Sequence, residues 1–191
     1  ITIEALIQIE ENEEQDRFAS IVYNENWHKG VIGIVASRLI ETYYRPTLVF
    51  TKSGEMLAAS ARSIKGFDVY NALEKCSEHI EQFGGHKYAA GLTLKPEKYK
   101  DFKAQFEKVV KETIDQQILI PEITIDTEIS LSDITPKFYR ILSQFAPFGP
   151  GNMTPVFMSE DINDTGFGKQ VGEDKTHLRC TAIQFGKGKI A

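Results

Sequence analysis

Apolar residues return along this chain at two intervals, and the interval switches repeatedly before residue 116. Between Val31 and Tyr44 they fall at positions 31, 32, 34, 35, 39, 40 and 43, the stripe of one helix face, and Pro46 closes it. Phe18 to Tyr23 and Thr47 to Phe50 flank that stripe and read as short strands. Lys52-Ser53-Gly54-Glu55 turns the chain into a further strand, Met56 to Ala61. Asp68 stands where an N-cap belongs for a helix with Val69, Tyr70, Leu73, Cys76 and Ile80 on one face, which Gly84-Gly85 would end. Ala89 to Leu94 is another strand. Pro96 then opens a Lys-rich amphipathic helix that buries Tyr99, Phe102, Phe106, Val109 and Val110. Strands alternating with helices predict an α/β sheet domain ending near 116.

The texture changes after Pro121. Ile123, Ile125, Thr127 and Ile129 alternate with polar residues, a short helix (Pro136 to Phe145) follows, and a Gly/Pro loop runs from Pro147 to Pro155. Strand-like runs lie around Val156 to Met158 and Leu178 to Phe185. Residues 117–191 therefore read as a small, partial β-barrel. No internal repeat or low-complexity segment interrupts either half.

Composition adds limits to this picture. Of 191 residues, 41% are apolar and 26% charged, and 22 Lys+Arg against 27 Asp+Glu leave a net charge of −5, close to globular averages. The longest uncharged apolar run, Val31 to Ser37, is far too short to span a bilayer, and a membrane partner is not expected. Cys76 and Cys180 are the only cysteines, which suggests free thiols in a reducing, cytoplasmic setting. Opening at Ile1 and stopping where an apolar run resumes, the chain reads as a fragment. Residues 1 to 16 hold six carboxylates and no base, a solvated helix face at the end of a connector, whereas 166 to 191 hold five Lys/Arg against two acids.

The search for self-contained chemistry is negative. There is no H-E-x-x-H, C-x-x-C, G-x-S-x-G or G-x-x-x-x-G-K-[ST], and the four His at 28, 79, 86 and 177 share no helical ligand spacing. A hydrolytic metal would have to come from elsewhere. Three segments remain. Trp27-His28-Lys29-Gly30 runs into a helix start, where free N–H groups, an imidazole and an ammonium would favour a phosphate oxygen; alternatively Trp27 packs and His28 only caps. Ser60-Ala61-Arg62-Ser63 ends a strand, where a guanidinium flanked by hydroxyls would grip phosphate, unless Arg62 is an ordinary ion-pair partner. Gly84-Gly85-His86 followed by Ala89-Ala90-Gly91 suggests backbone that must approach something closely, or simply tight packing beside a loop His.

Together with Pro147-Phe148-Gly149-Pro150-Gly151-Asn152 before Pro155-Val156-Phe157, these segments resemble, in order and spacing, the RecJ family of single-strand-specific exonucleases. Gly-Gly-His alone would indicate only the wider DHH phosphoesterase superfamily. The resemblance covers the second part of such an enzyme: residues 1–17 would end the linking helix, 18–116 would be the DHH-associated α/β domain, and 117–191 would begin an OB-like domain. The DHH domain, whose Asp and His residues hold Mn²⁺ or Mg²⁺, has no counterpart in this sequence, so no metal is expected on the chain itself.

That resemblance implies a part of a 5′ to 3′ exonuclease of DNA repair and recombination, closing over its DHH domain around single-stranded DNA. His86 would stand at the scissile phosphate, Gly84 and Gly85 would admit backbone, Arg62 with Ser60 and Ser63 would hold a neighbouring phosphate, and His28 and Lys29 would add backbone contacts. Phe157, Phe167, His177 and Phe185 are stacking candidates in the OB-like half. Helicase or single-strand-binding protein would be further partners. Two alternatives stand: a short-RNA or cyclic-dinucleotide phosphodiesterase, against which the stretch 117–191 argues, and a non-catalytic binding module, against which the Pro-Phe-Gly loop argues.

Overall fold

The computed structural model describes residues 1–184 and 188–190. The chain divides into two compact units, Ile1–Pro121 and Glu122–Ala191. In the first, α1 (Thr2–Glu11) precedes β1 (Ser20–Tyr23), α2 (Ile32–Thr42) crosses over to β2 (Thr47–Ser53), and β3 (Met56–Arg62) returns antiparallel. α3 (Val69–Glu74), β4 (Gln82–His86), β5 (Ala89–Leu94) and α4 (Tyr99–Thr113) follow. The sheet order is β1-β2-β3-β5-β4, parallel only between β1 and β2.

Period-two alternation gives this sheet two unlike faces. Ile21, Leu48, Phe50, Leu57, Ala59, Ala61, Ala90, Leu92 and Leu94 form one core with residues of α3 and α4, including Leu73, Phe102, Phe106 and Val110. Phe50 meets Phe102 edge-on at 5.6 Å. Burying each such ring contributes about 1.5–3 kcal/mol. The opposite face is covered only in part: Val22 and Val49 pack under Ala5 and Ile9 of α1, Trp27, and Ile32, Val35, Ala36 and Leu39 of α2. Across β5 and β4 the cover is gone, and Gln82, Gly84, His86 and Gly91 are exposed.

Side chains close the outer edge of β1, a free edge being a liability. The Gln8 amide donates to Tyr23 O and accepts from Tyr23 N, both at 3.0 Å. The Glu107 carboxylate of α4 accepts the Phe18 and Ala19 N–H groups at 2.8 and 3.0 Å. Buried Arg45 ties the approach to β1 in place by donating to Ser20 Oγ and to the carbonyls of Glu14, Gln15 and Arg17.

The acidic start is a solvated helix face as expected: Glu4, Glu10 and Glu11 of α1 are exposed, while Ala5 and Ile9 on its other side are fully buried. One expectation is corrected in this unit: no single helix runs from Asp68 to a Gly84-Gly85 cap. Asp68 does cap α3, accepting Asn71 N at 3.0 Å, but the helix stops at Glu74 and passes through a 3-10 turn, Ser77–His79. Glu81 N already bonds Thr93 O, so pairing with β5 takes the chain into β4, and both glycines lie inside a strand.

The second unit is thinly packed: among its described residues only Leu131 and Gln184 are buried. β6 (Thr127–Glu128), α5 (Pro136–Ser143) and β7 (Phe157–Met158) precede β8 (Ile162–Asp164), β9 (Lys169–Val171), β10 (His177–Arg179), β11 (Ala182–Gln184) and β12 (Gly188–Ile190). They pair as β6-β7, β9-β10 and β12-β11-β8, and among the described residues these sheets do not close into a barrel. The Gln184 amide joins Leu131 N to Glu160 O, both at 2.9 Å. The alternation at Ile123 and Ile125 yields no strand there, for both side chains are exposed and only Thr127 and Glu128 pair. The run expected over Leu178 to Phe185 is two strands, and Phe185 lies outside the described residues.

Candidate nucleic-acid interface

The half-uncovered face is paved with small residues because the alternation puts them there. Ser60 pairs with Gly91, and Gly91 with Gly84, so one row crosses β3, β5 and β4. The next row on the same face is Arg62, Ala89 and His86. At ordinary strand spacing, two strands put His86 roughly 10 Å from Arg62. The start of α2 walls this floor, leaving an open groove of about 490 Å³ whose lining includes Lys29, Gly33, Ser60, Arg62, Gln82, Gly84, Gly91 and Thr93. His28, Ser63, Gly85 and His86 lie outside that lining.

Arg62 is half-buried and held in place. Its Nη1 donates to Ser60 Oγ and to Ala61 O, each at 2.9 Å. Its Nη2 lies against Gly33, where a Cβ would come within 2.7 Å. Among the described residues no carboxylate pairs with this guanidinium. Nε and Nη2 keep their N–H groups for an anion entering the groove. Among the described residues Lys29, exposed, reaches only Ser53 Oγ, at 3.4 Å. Ser63 does not join the grip, because its hydroxyl donates to Phe67 O at 2.8 Å and its N–H to Tyr88 O.

The two glycines of β4 have different causes. Gly85 has φ +147°, and a Cβ there would stand 2.3 Å from Ala89 O. Gly84 faces open space, with nothing within 4 Å of where a Cβ would be. Gly85 is required by the hairpin itself; Gly84 keeps the floor flat and its backbone reachable. At the hairpin end, exposed His86 accepts the Tyr88 N–H on Nδ1 at 3.2 Å. His28 does the same with the Gly30 N–H at 3.1 Å. An occupied Nδ1 leaves the proton of a neutral imidazole on Nε2, which is then the donor. Capping and contact are thus compatible at His28, while Trp27 packs, its Nε1 donating to Glu4 at 2.7 Å.

Gly33 is the residue sequence reading passed over; only its position opposite the Ser-Ala-Arg strand reveals it. Of the stacking candidates, Phe157 meets Phe138 at 5.4 Å, whereas Phe167 and His177 are exposed. Among the described residues no group of three or more His, Cys, Asp or Glu is arranged to hold a metal. No helix among the described residues is long and apolar enough to cross a membrane.

The face that carries Arg62, Ser60, Gly84, Gly91 and His86 is chemically suited to an anion. The chain belongs to the DHHA1 domain family, whose pattern it matches over residues 16–112. Residues 125–190 match the RecJ OB domain. The single-stranded-DNA-specific exonuclease RecJ of Bacillus subtilis is 32% identical over 96% of this chain, and that of Escherichia coli 36% over 71%. The chain spans about a quarter of the length of these curated relatives. Among solved structures, RecJ of Thermus thermophilus in complex with Mn²⁺ superposes with a TM-score of 0.73 at 25% identity, over 97% of this chain and 27% of that one. The same protein was also solved with Mg²⁺.

Proposed function

We propose that this chain is the DNA-binding, active-site-completing part of a 5′ to 3′ single-stranded-DNA exonuclease that serves repair and recombination in the cytoplasm. The observation that carries this reading is the unpaired Arg62 guanidinium set with Ser60 beside the Gly84 and Gly91 floor. In this reading residues 1–17 end the linking helix, 18–116 form the DHH-associated domain and 117–191 the OB-like domain. A DHH domain of the same protein supplies the Mn²⁺ or Mg²⁺, and helicase or single-strand-binding protein are further partners.

Phosphoryl transfer asks for charge neutralisation and alignment rather than covalent help. Arg62 and Ser60 would hold one backbone phosphate, and His86 would offer Nε2–H to the phosphate being cut. Gly84 would let the strand lie against the sheet, with Lys29 and His28 as outlying contacts. Ser63 would act through the hairpin it ties down, and Gly85 through the turn.

Binding and activity test this separately. Fluorescence anisotropy of the chain with a single-stranded oligonucleotide over a salt series should give a log K against log salt slope of about −2 to −4, at about −0.7 per phosphate. Arg62→Ala should remove about one contact's worth for all sequences alike. The chain alone should release no mononucleotides with Mn²⁺, whereas the chain joined to its DHH domain should. A duplex preference, or hydrolysis by the chain itself, would contradict the reading.

A further inference from the structure

We propose that Gln82 and Thr93 hold one nucleobase by its hydrogen-bonding edge, a base subsite in the groove at a fixed distance from the phosphate on Arg62. The proposal rests on the single-stranded-DNA reading above, which assigns contacts to the backbone of the strand and none to its bases.

The register that aligns the glycine floor also places this pair. Two residues past Ser60, Gly91 and Gly84, on the side away from Arg62, a third row on the same face runs Ala58, Thr93, Gln82. Thr93 and Gln82 stand directly opposite each other on β5 and β4, and both line the groove. From Arg62 to Ala58 is four residues of β3, roughly 14 Å at ordinary strand rise. Ala58 is small and buried, so the row presents half-buried Thr93 and exposed Gln82. Among the described residues, the side chains lining the groove make hydrogen bonds only from Arg62, to Ser60 and Ala61 O, and from Lys29, to Ser53. The Gln82 amide and the Thr93 hydroxyl take part in none of these and keep their donors and acceptors for an occupant.

Their chemistry selects the part of a nucleotide that fits. This row carries no charge, and phosphates go to the cations of the groove, Arg62 at one end and Lys29 in the wall. Deoxyribose within a strand offers oxygen acceptors and no donor. A base edge offers donors and acceptors side by side, and an amide next to a hydroxyl that rotates to suit answers both. Because the amide presents either an N–H or an oxygen, the edge of any of the four bases can be met, so the subsite holds a base without demanding a sequence.

The test uses the 191-residue chain and fluorescent strands of equal length: oligothymidylate, oligo-3-methylthymidylate, whose edge is blocked while its ring still stacks, and an abasic oligomer. Wild type should bind thymidylate about 2- to 10-fold more tightly than the methylated strand, the worth of a neutral hydrogen bond or two. Gln82→Ala should bind thymidylate only as well as wild type binds the methylated strand, with its affinity for the abasic strand unchanged. Thr93→Val, which removes the hydroxyl and keeps the shape, should lose part of the same preference. Circular dichroism should be unchanged, since Gln82 is exposed. Unaltered thymidylate affinity in a folded Gln82→Ala variant overturns the proposal, as do equal wild-type affinities for thymidylate and the methylated strand. An equal loss on all strands, the abasic one included, would make Gln82 a backbone contact and overturns it too. If Arg62→Ala weakens binding to every strand and Gln82→Ala to none, only this proposal falls; if wild type binds no single strand, both readings fall.

Discussion

Gly33 and Arg62 come from separate elements and fit only because one of them has no side chain: a Cβ on Gly33 would lie 2.7 Å from Arg62 Nη2 and 3.1 Å from Ser60 Oγ. The first clash is with the far end of a flexible side chain, so Gly33→Ala should move the guanidinium rather than break the fold. Alanine inside α2 gains up to about 1 kcal/mol in helix propensity, so thermal stability should hold or rise. Affinity for single-stranded DNA should fall as Arg62 swings off Ser60. Melting and anisotropy of the same variant check this, and unchanged affinity would show that the placement of Arg62 is immaterial.

The neighbouring glycines of β4 should part company under the same substitution. Gly85→Ala places a methyl against Ala89 O in a left-handed backbone conformation, and such strain alone costs about 1–3 kcal/mol. Gly84→Ala meets nothing within 4 Å, so its stability should stay within about 0.5 kcal/mol of wild type. If Gly84 is where DNA lies, only that variant will be folded and weakened in binding. Denaturant melts beside binding curves separate the two outcomes.

These contrasts also show what was legible in the sequence. The strands and helices of the first unit were readable because Val31 to Tyr43 and Tyr99 to Val110 carry strong helical stripes that packing reinforces. The helix expected up to Gly84 failed because Cys76 and Ile80 keep a helical spacing while the pairing of β4 with β5, a nonlocal event, takes the backbone away. Arg62, Ser60, Gly84 and His86 could be picked out as residues. Their shared face could not, since it depends on the register Ser60–Gly91–Gly84 and on a helix layer that stops at β3. In the second unit, short strands with almost no buried residues leave little periodicity to read.

His86→Ala, made in the chain joined to its DHH domain, should reduce kcat by about 10²- to 10³-fold. DNA affinity should change far less, because a donor aimed at developing charge acts mainly in the transition state. His86→Asn, which keeps an N–H donor, should recover part of the rate. Equal losses in binding and kcat/KM with kcat unchanged would make His86 a plain backbone contact.

Cys76 and Cys180 should differ in both reactivity and linkage to stability. Cys76 is fully buried under α4, and burial, then Glu78, pushes its thiol up to about 12, whereas Cys180 is exposed. At about pH 8, near the ordinary thiol value, a thiol reagent should therefore label Cys180 promptly and Cys76 only on unfolding, as mass spectrometry of the labelled peptides will show. An unfolded thiol titrates near about 8.5. With the folded value raised, the unfolded chain loses its proton first, so this contribution to stability is whole below about 8.5 and is lost progressively as pH climbs toward about 12. The Tyr99 phenol, pushed up by burial and then by Glu14 and Tyr23, acts in the same direction at higher pH. Cys76→Ala should be less stable at neutral pH, because a buried group is deleted, yet lose less on going to about pH 10 than wild type does. Parallel alkaline slopes for the two proteins would mean that Cys76 is not held as the neutral thiol.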